Sequence, residues 1–141
     1  MPQVRVFYTS PQGLPVATCN VVVHPSPSLN GLGPKELDAL LARTSDSDWV
    51  SLLGGKGITL EILQSRTVDV GKRSARRTTI DASFSAAPIF IRYTAVMLLR
   101  PGAIWTLVCG GGGGNWQEAR DSYAYWEDTF NRIVDSVGFE E

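Results

Sequence analysis

His24 is the only histidine in the chain, so any scheme that needs an imidazole as general base or metal ligand must run through it. It sits in HPSPS beside Ser26 and Ser28, residue types that together can make a nucleophile and its base. Neighbours on a proline-locked loop do not converge, however, and no acidic residue stands close enough to orient the ring. The expectation is a solvent-exposed histidine at a strand end, with no catalytic role. Cys19 and Cys109 are the only two cysteines, and each lies in a β-branched, strand-like run, ATCNVVV and IWTLVCG. Two arrangements are open. They are a pair of buried thiols acting as small hydrophobes, or one bridge closing a loop of about 90 residues, worth on the order of 4 kcal/mol by loop entropy. Zinc would require four ligands, and two sulfurs with one imidazole do not supply them. No metal and no cofactor are expected.

Gly110 to Gly114 form a glycine run just before a helix, the setting of a phosphate-binding loop. No lysine follows in the place such a loop requires, and the surrounding topology is antiparallel rather than a strand, crossover and strand. The run therefore reads as a flexible connector that lets a partner's backbone approach, with Gly112 at its centre. Lys72, Arg73, Arg76 and Arg77 crowd the hairpin VGKRSARRT and offer a surface for an acidic partner, although four cations without interleaved aromatics also describe a solvated turn. Tyr125 falls on the polar side of the last helix, where its neighbours Asp121, Asp128, Asn131 and Asp135 do not explain an aromatic, and it is a candidate interface residue. Trp105, Trp116 and Tyr93 could wall a small-ligand pocket between sheet and helices, or simply belong to the core.

The elements that must position these residues follow from periodicity. With 141 residues, 43% hydrophobic and 19% charged, the chain has room for one domain spanning residues 1–141. A net charge of -1 gives no general attraction to nucleic acid or to anionic lipid. No apolar run approaches the roughly 20 residues of a membrane helix. The opening MPQVRVFYTSPQG lacks the basic-then-apolar order of a secretory signal, so an exported protein would be represented here by its mature part with a start methionine added.

Residues 4–8 and 17–23 read as strands around a turn at Ser10-Pro11-Gln12-Gly13. Pro34 opens a short helix to Arg43, and Ser45 or Asp46 caps a second one that ends at Gly54-Gly55. From Ile58 the period becomes two, giving strands over 58–68, 75–84, 89–99 and 103–109 joined as a meander of antiparallel hairpins. The strand over 75–84 places Arg77, Thr79, Asp81 and Ser83 on one face, a wetter one than its opposite. Asn115-Trp116-Gln117-Glu118 has the pattern of a capping box. Ala119, Tyr123, Trp126, Phe130, Ile133 or Val134 and Val137 then make an apolar stripe that must cover a face of the sheet, with Gly138 and Phe139 closing the helix. The fold class is α+β, an antiparallel sheet closed by a long C-terminal helix.

The stretch RYTAVMLLRPGAIWTLVCGGGGGNWQEARDSYAYWEDTFNRIVDSVGF resembles the C-terminal half of PsbP-like domains: strand, turn, strand, loop, and a helix finishing in an I-V-x-S-V/F-x-F phrase. The helical excursion over 34–53 between an early strand and the hairpin GITLEILQSRTVDVGKRSARRTTIDAS is similar to that superfamily as well. It includes the photosystem II extrinsic protein, the Ran-release factor of nuclear import and exported LpqN-type bacterial lipoproteins, and this chain looks closest to the exported members. The resemblance implies an α/β/α sandwich with two short N-terminal helices and a long C-terminal one, in which Cys19 and Cys109 pair. It also implies action by binding another protein. Because members of the superfamily use different surfaces for unrelated partners, it assigns no functional residue. The expected function is thus a non-enzymatic protein-interaction domain of a bacterial exported or envelope protein. The alternatives are a cytoplasmic chaperone or adaptor for secreted effectors, and a small-ligand or ion-binding domain.

Overall fold

The computed structural model describes residues 3–9 and 15–136. The turn expected at Ser10 to Gly13 and the helix end expected at Val137, Gly138 and Phe139 lie outside the described residues. Six strands and three α-helices follow one another in the order β1 (Gln3–Thr9), β2 (Pro15–Pro25), α1 (Pro34–Arg43), α2 (Asp46–Leu53), β3 (Ile58–Val70), β4 (Arg73–Phe84), β5 (Phe90–Arg100), β6 (Ala103–Gly113) and α3 (Trp116–Asp135). They form one antiparallel sheet in the order β1-β2-β6-β5-β4-β3. The meander β3 to β6 is built from tight turns, two of which need a left-handed glycine: Gly71 at φ +62° and Gly102 at φ +74°.

β5 runs through the middle of the sheet, and its run Val96 to Leu99 is buried on both faces. Val96 and Leu98 join Ala75, Leu107, Tyr123, Phe130 and Val134 in the core beneath α3. Met97 and Leu99 join Ile104, Leu29, Leu37, Leu41 and Trp49 in the core beneath α1 and α2. The architecture is therefore an α+β fold with helices on both faces of the sheet, and each buried large side chain stabilises it by roughly 1.5–3 kcal/mol.

The helix ends follow their sequence signals. Pro34 stands in the first turn of α1. Ser45 caps α2 in a capping box, its Oγ accepting from the Asp48 amide at 3.1 Å while Asp48 accepts from the Ser45 amide at 3.3 Å. At α3 the box is only half formed. Asn115 Oδ1 accepts from the Glu118 amide at 2.9 Å, but Glu118 Oε2 reaches past the cap and accepts from the Gly114 amide at 2.8 Å.

Cys19 and Cys109 stand directly opposite each other where β2 meets β6, with Cα atoms 4.1 Å apart, and they form a disulfide. Both are buried in the core beneath α3. The bridge joins residues 90 apart in sequence, tying the N-terminal hairpin to the end of the meander.

The glycine run departs from expectation. It is not a connector: β6 continues through Gly113 and pairs with β5 over its whole length, Gly110 to Gly113 lying opposite Tyr93, Arg92, Ile91 and Phe90. At two of these positions, Gly111 and Gly113, α3 crosses the strand too closely for a side chain. A Cβ on Gly111 would lie 2.6 Å from the Tyr123 nitrogen and 2.8 Å from the Ser122 carbonyl carbon, and one on Gly113 would overlap Glu118 Cβ. The Ser122 hydroxyl uses that proximity to donate to the Gly112 carbonyl at 3.2 Å.

Candidate interaction groove

Seating α3 on the glycines fixes where it sits, over β6 and β5 with a lighter touch on β2. The same face of β4 and β3 is left without a helix, and there the strands present polar residues. Arg77 and Thr79 of β4 stand opposite Val96 and Thr94 of β5, and Asp81 stands opposite Arg92. On β3 the alternation is interrupted at Leu63, which has no partner: Ile62 pairs with Ile80, and Gln64 already pairs with Thr79. This bulge exchanges the two faces along the strand. Glu61 before it and Gln64, Arg66 and Val68 after it all look toward the α3 side, because their ladder partners are Asp81, Thr79, Arg77 and Ala75.

The result is a groove with β3, β4 and β5 as its floor and α3 as its wall. One lobe, of about 220 Å³, is bounded by Gln64, Arg66, Thr79 and Thr94 from the sheet and Tyr123, Glu127 and Asn131 from the helix. The next, of about 300 Å³, is more apolar, with Val68, Val70, Val96 and Val134 alongside Asp135. Arg77 borders both. Its guanidinium crosses from sheet to helix, donating to Asn131 Oδ1 at 2.6 Å and to Asp135 Oδ1 at 3.0 Å. Deeper in the floor, Arg92 grips Asp81 with two parallel bonds of 2.7 and 2.9 Å. That bond holds the Arg92 pKa above its ordinary value despite partial burial. Burial, with Glu127 nearby, also raises the pKa of the Tyr123 phenol, so it stands in the groove as a neutral hydroxyl at neutral pH.

The structure does not gather the predicted basic hairpin into one patch. Lys72 is exposed at the turn, but Arg73 is only 5% exposed. Arg73 binds Asp38 of α1 through Nε at 3.0 Å and the Leu99 carbonyl at 2.7 Å. Arg76 turns to the α1–α2 connection, donating to the Thr44 carbonyl at 2.7 Å and to Ser65 at 3.2 Å. Of the four, Arg77 alone borders the groove. Gly112 lies within the β5–β6 ladder. Tyr125 is 75% exposed on the outer side of α3, its ring set edge-on to Trp126.

The other candidates are equally dispersed. His24 is exposed at the end of β2 opposite Ile104, and the hydroxyls of Ser26 and Ser28 lie 3.3 Å from each other. Trp105 stacks under Arg100, and Trp116 meets Phe90 edge-to-face at the start of α3. Tyr93 packs on the other face of the sheet, where burial pushes its pKa up to about 12. These three aromatics do not line a common cavity. No group of three or more metal-ligating side chains occurs among the described residues, and no described helix is long and apolar enough to cross a membrane.

The sequence signal for the groove was the polar face of β4. What no spacing revealed was Arg66, which the bulge brings to that face. Two adjacent apolar residues, Ile62 and Leu63, in an otherwise alternating strand are the only trace the bulge leaves in the sequence.

Comparison with known proteins bears on the fold. The chain is similar in structure to PA94 of Pseudomonas aeruginosa, a protein of unknown function described as a putative regulator, at a TM-score of 0.62 and 8% identity over 100% of this chain and 86% of that one. The two share a fold. A looser likeness, with a TM-score of 0.48 and 12% identity over 95% of this chain and 79% of the other, is found to cyanobacterial PsbP from Synechocystis. No protein-family model matches the chain, and no curated protein does either.

Proposed function

We propose that this chain is a non-enzymatic protein-interaction domain of an exported or envelope bacterial protein, related to the PsbP-like superfamily, and that it holds its partner in the groove beside α3. The observation that carries this reading is the uncovered half-face of the sheet. A sheet face that a domain leaves without a helix is normally closed by something else, and here its residues are hydrogen-bonding groups of several kinds flanking a small apolar lobe. That mixture suits the polar rim and apolar centre of a protein contact. Reaction chemistry finds less support, since His24 and the serines beside it are at the far end of β2, facing water. The buried disulfide supports an oxidising compartment.

The test is a photo-crosslinking amino acid placed at Glu127, on the groove wall, and in a second variant at Lys35, exposed on α1. Labelling in the native host is expected to give one discrete heterologous adduct from position 127 and none from position 35. Excess unlabelled chain should compete the adduct away, and the Arg77→Glu chain should not. Equal labelling at both positions would refute the groove as the contact. Free thiols in protein taken directly from the host would refute the compartment.

A further inference from the structure

β3 is a free edge of the sheet, and it is the longest strand in it. Its charges are badly matched to the neighbour it has. Glu61 lies opposite Asp81, and Arg66 lies opposite Arg77, so each edge charge faces one of its own sign across the ladder, an arrangement that destabilises a sheet. The inner members of the two pairs are satisfied elsewhere, Asp81 by Arg92 and Arg77 by Asp135. The outer members, Glu61 and Arg66, are exposed, and neither side chain has a hydrogen bond or ion pair among the described residues. Between them, at the bulge, stands Leu63, one of only three large apolar side chains exposed among the described residues, at 40%.

Strand edges usually carry charges to prevent pairing. A protective edge needs only one sign of charge. This edge carries both signs, placed symmetrically about the bulge.

We propose that β3 pairs antiparallel with β3 of a second copy of this chain, about a two-fold axis passing between Leu63 and Gln64. In that register Glu61 of each copy stands opposite Arg66 of the other, Ile62 opposite Ser65, Leu60 opposite Thr67, and Thr59 opposite Val68. The bulge is what makes the register work. Directly opposed residues in an antiparallel ladder must point to the same face, and a two-fold axis between two residues of a regular strand would oppose side chains from different faces. Because the alternation reverses at Leu63, every pair named above is matched in face. Moving the axis to the other side of Leu63 keeps the faces matched but sets Arg66 opposite Thr59 and leaves Glu61 opposite Gln64. Charge thus selects the first register.

The contact is isologous and closed, so it yields a dimer rather than a fibre. It brings Leu63 of both copies together at the axis and away from water. The two groove floors join into one polar trough whose walls are the two α3 helices. This inference does not depend on the partner reading above, since an isolated chain suffices to test it.

The experiment is sedimentation velocity on the oxidised full chain over micromolar to millimolar concentration, with thermal melts confirming that each variant is folded. The unaltered chain should show a reversible dimer. Glu61→Arg or Arg66→Glu alone places like charges in both symmetry-related pairs and should weaken it by roughly ten- to hundredfold. Both exchanges together reverse every pair and should restore the dimer. A second measurement does not rely on charge reversal: with Cys19 and Cys109 already bridged, Leu63→Cys should cross-link two copies on mild oxidation, whereas Tyr125→Cys should not. A chain that remains monomeric throughout, a dimer indifferent to both single exchanges, a doubly exchanged chain that fails to associate, or equal cross-linking at 63 and 125 would each overturn the proposal. The first of these outcomes would leave the edge open to an extended peptide as its occupant.

Discussion

An alanine scan through Gly110 to Gly114 tests directly whether these residues are glycine because α3 and β5 leave no room. The expected profile is uneven. At Gly111 the new methyl would sit 2.6 and 2.8 Å from backbone atoms of Tyr123 and Ser122, which no rotamer change can move, so α3 itself must lift. At Gly110 it would sit 2.6 Å from Tyr93 Cβ and 3.0 Å from the Arg92 carbonyl. At Gly113 it would overlap Glu118 Cβ. Overpacking of this kind costs about 1–3 kcal/mol. Gly112 is different: the closest approach is 3.4 Å to the Phe90 carbonyl, and at Gly114 it is 3.5 Å to a flexible carboxylate. There the loss of unfolded-state freedom should offset any cost, leaving a change of about 0.5 kcal/mol or less in either direction. For a chain of 141 residues, 1 kcal/mol corresponds to about 3 °C in Tm. Thermal melts by circular dichroism should therefore show losses of roughly 3–10 °C at 110, 111 and 113 and almost none at 112 and 114. A flat profile would mean that the glycines are not set by the helix crossing, and the placement of the groove would lose its physical basis.

Reducing the Cys19–Cys109 bridge, which spans 90 residues, should lower stability by about 4.6 kcal/mol on the loop-entropy relation. The Tm should then drop by roughly 15 °C in calorimetry; a drop under about 3 °C would contradict the bridge. Asp81→Asn removes the charge that Arg92 grips with two bonds in a largely buried setting. Urea unfolding should register a loss of about 1–3 kcal/mol. Tyr93 has its pKa raised to about 12 by burial, so the fold favours the neutral phenol. Its contribution to stability is complete below the unfolded value near 10 and disappears as pH climbs from about 10 to 12. Ultraviolet titration of tyrosinate should lose a late step in that window in the Tyr93→Phe chain.

Much of the framework is legible in local pattern. The doubly apolar Val96 to Leu99 and the stripe Ala119, Tyr123, Phe130, Val134 each encode a buried face and lie where their spacing puts them, whereas the period-two run from Ile58 forms the expected strand but changes faces at the Leu63 bulge, with Ile58, Leu60 and Ile62 only half-buried. The glycine run was opaque for a physical reason. Glycine has no strand propensity to read, and at Gly111 and Gly113 its presence in β6 answers to a helix that begins only at Trp116. The arginines of the β3–β4 hairpin were misleading for a related reason. Their neighbours in sequence are one another, but their partners are Asp38, Thr44, Asn131 and Asp135, on three different elements or connections. The groove depends on both features, since the glycines fix the wall and Arg77 ties it to the floor, so no single stretch of sequence contains it.

The bridge sits at the junction between the two parts of the sheet that the chain lays down farthest apart in time. The meander β3 to β6 closes through short hairpins, whereas β2 reaches β6 only when the N-terminal hairpin returns across everything synthesised in between. Local pairings form first and such distant ones last. Once formed, the bridge fixes the N-terminal hairpin against β6, the contact of the sheet whose partners lie farthest apart in sequence. Such a covalent tie separates molecules whose hairpin is docked from those still able to come apart.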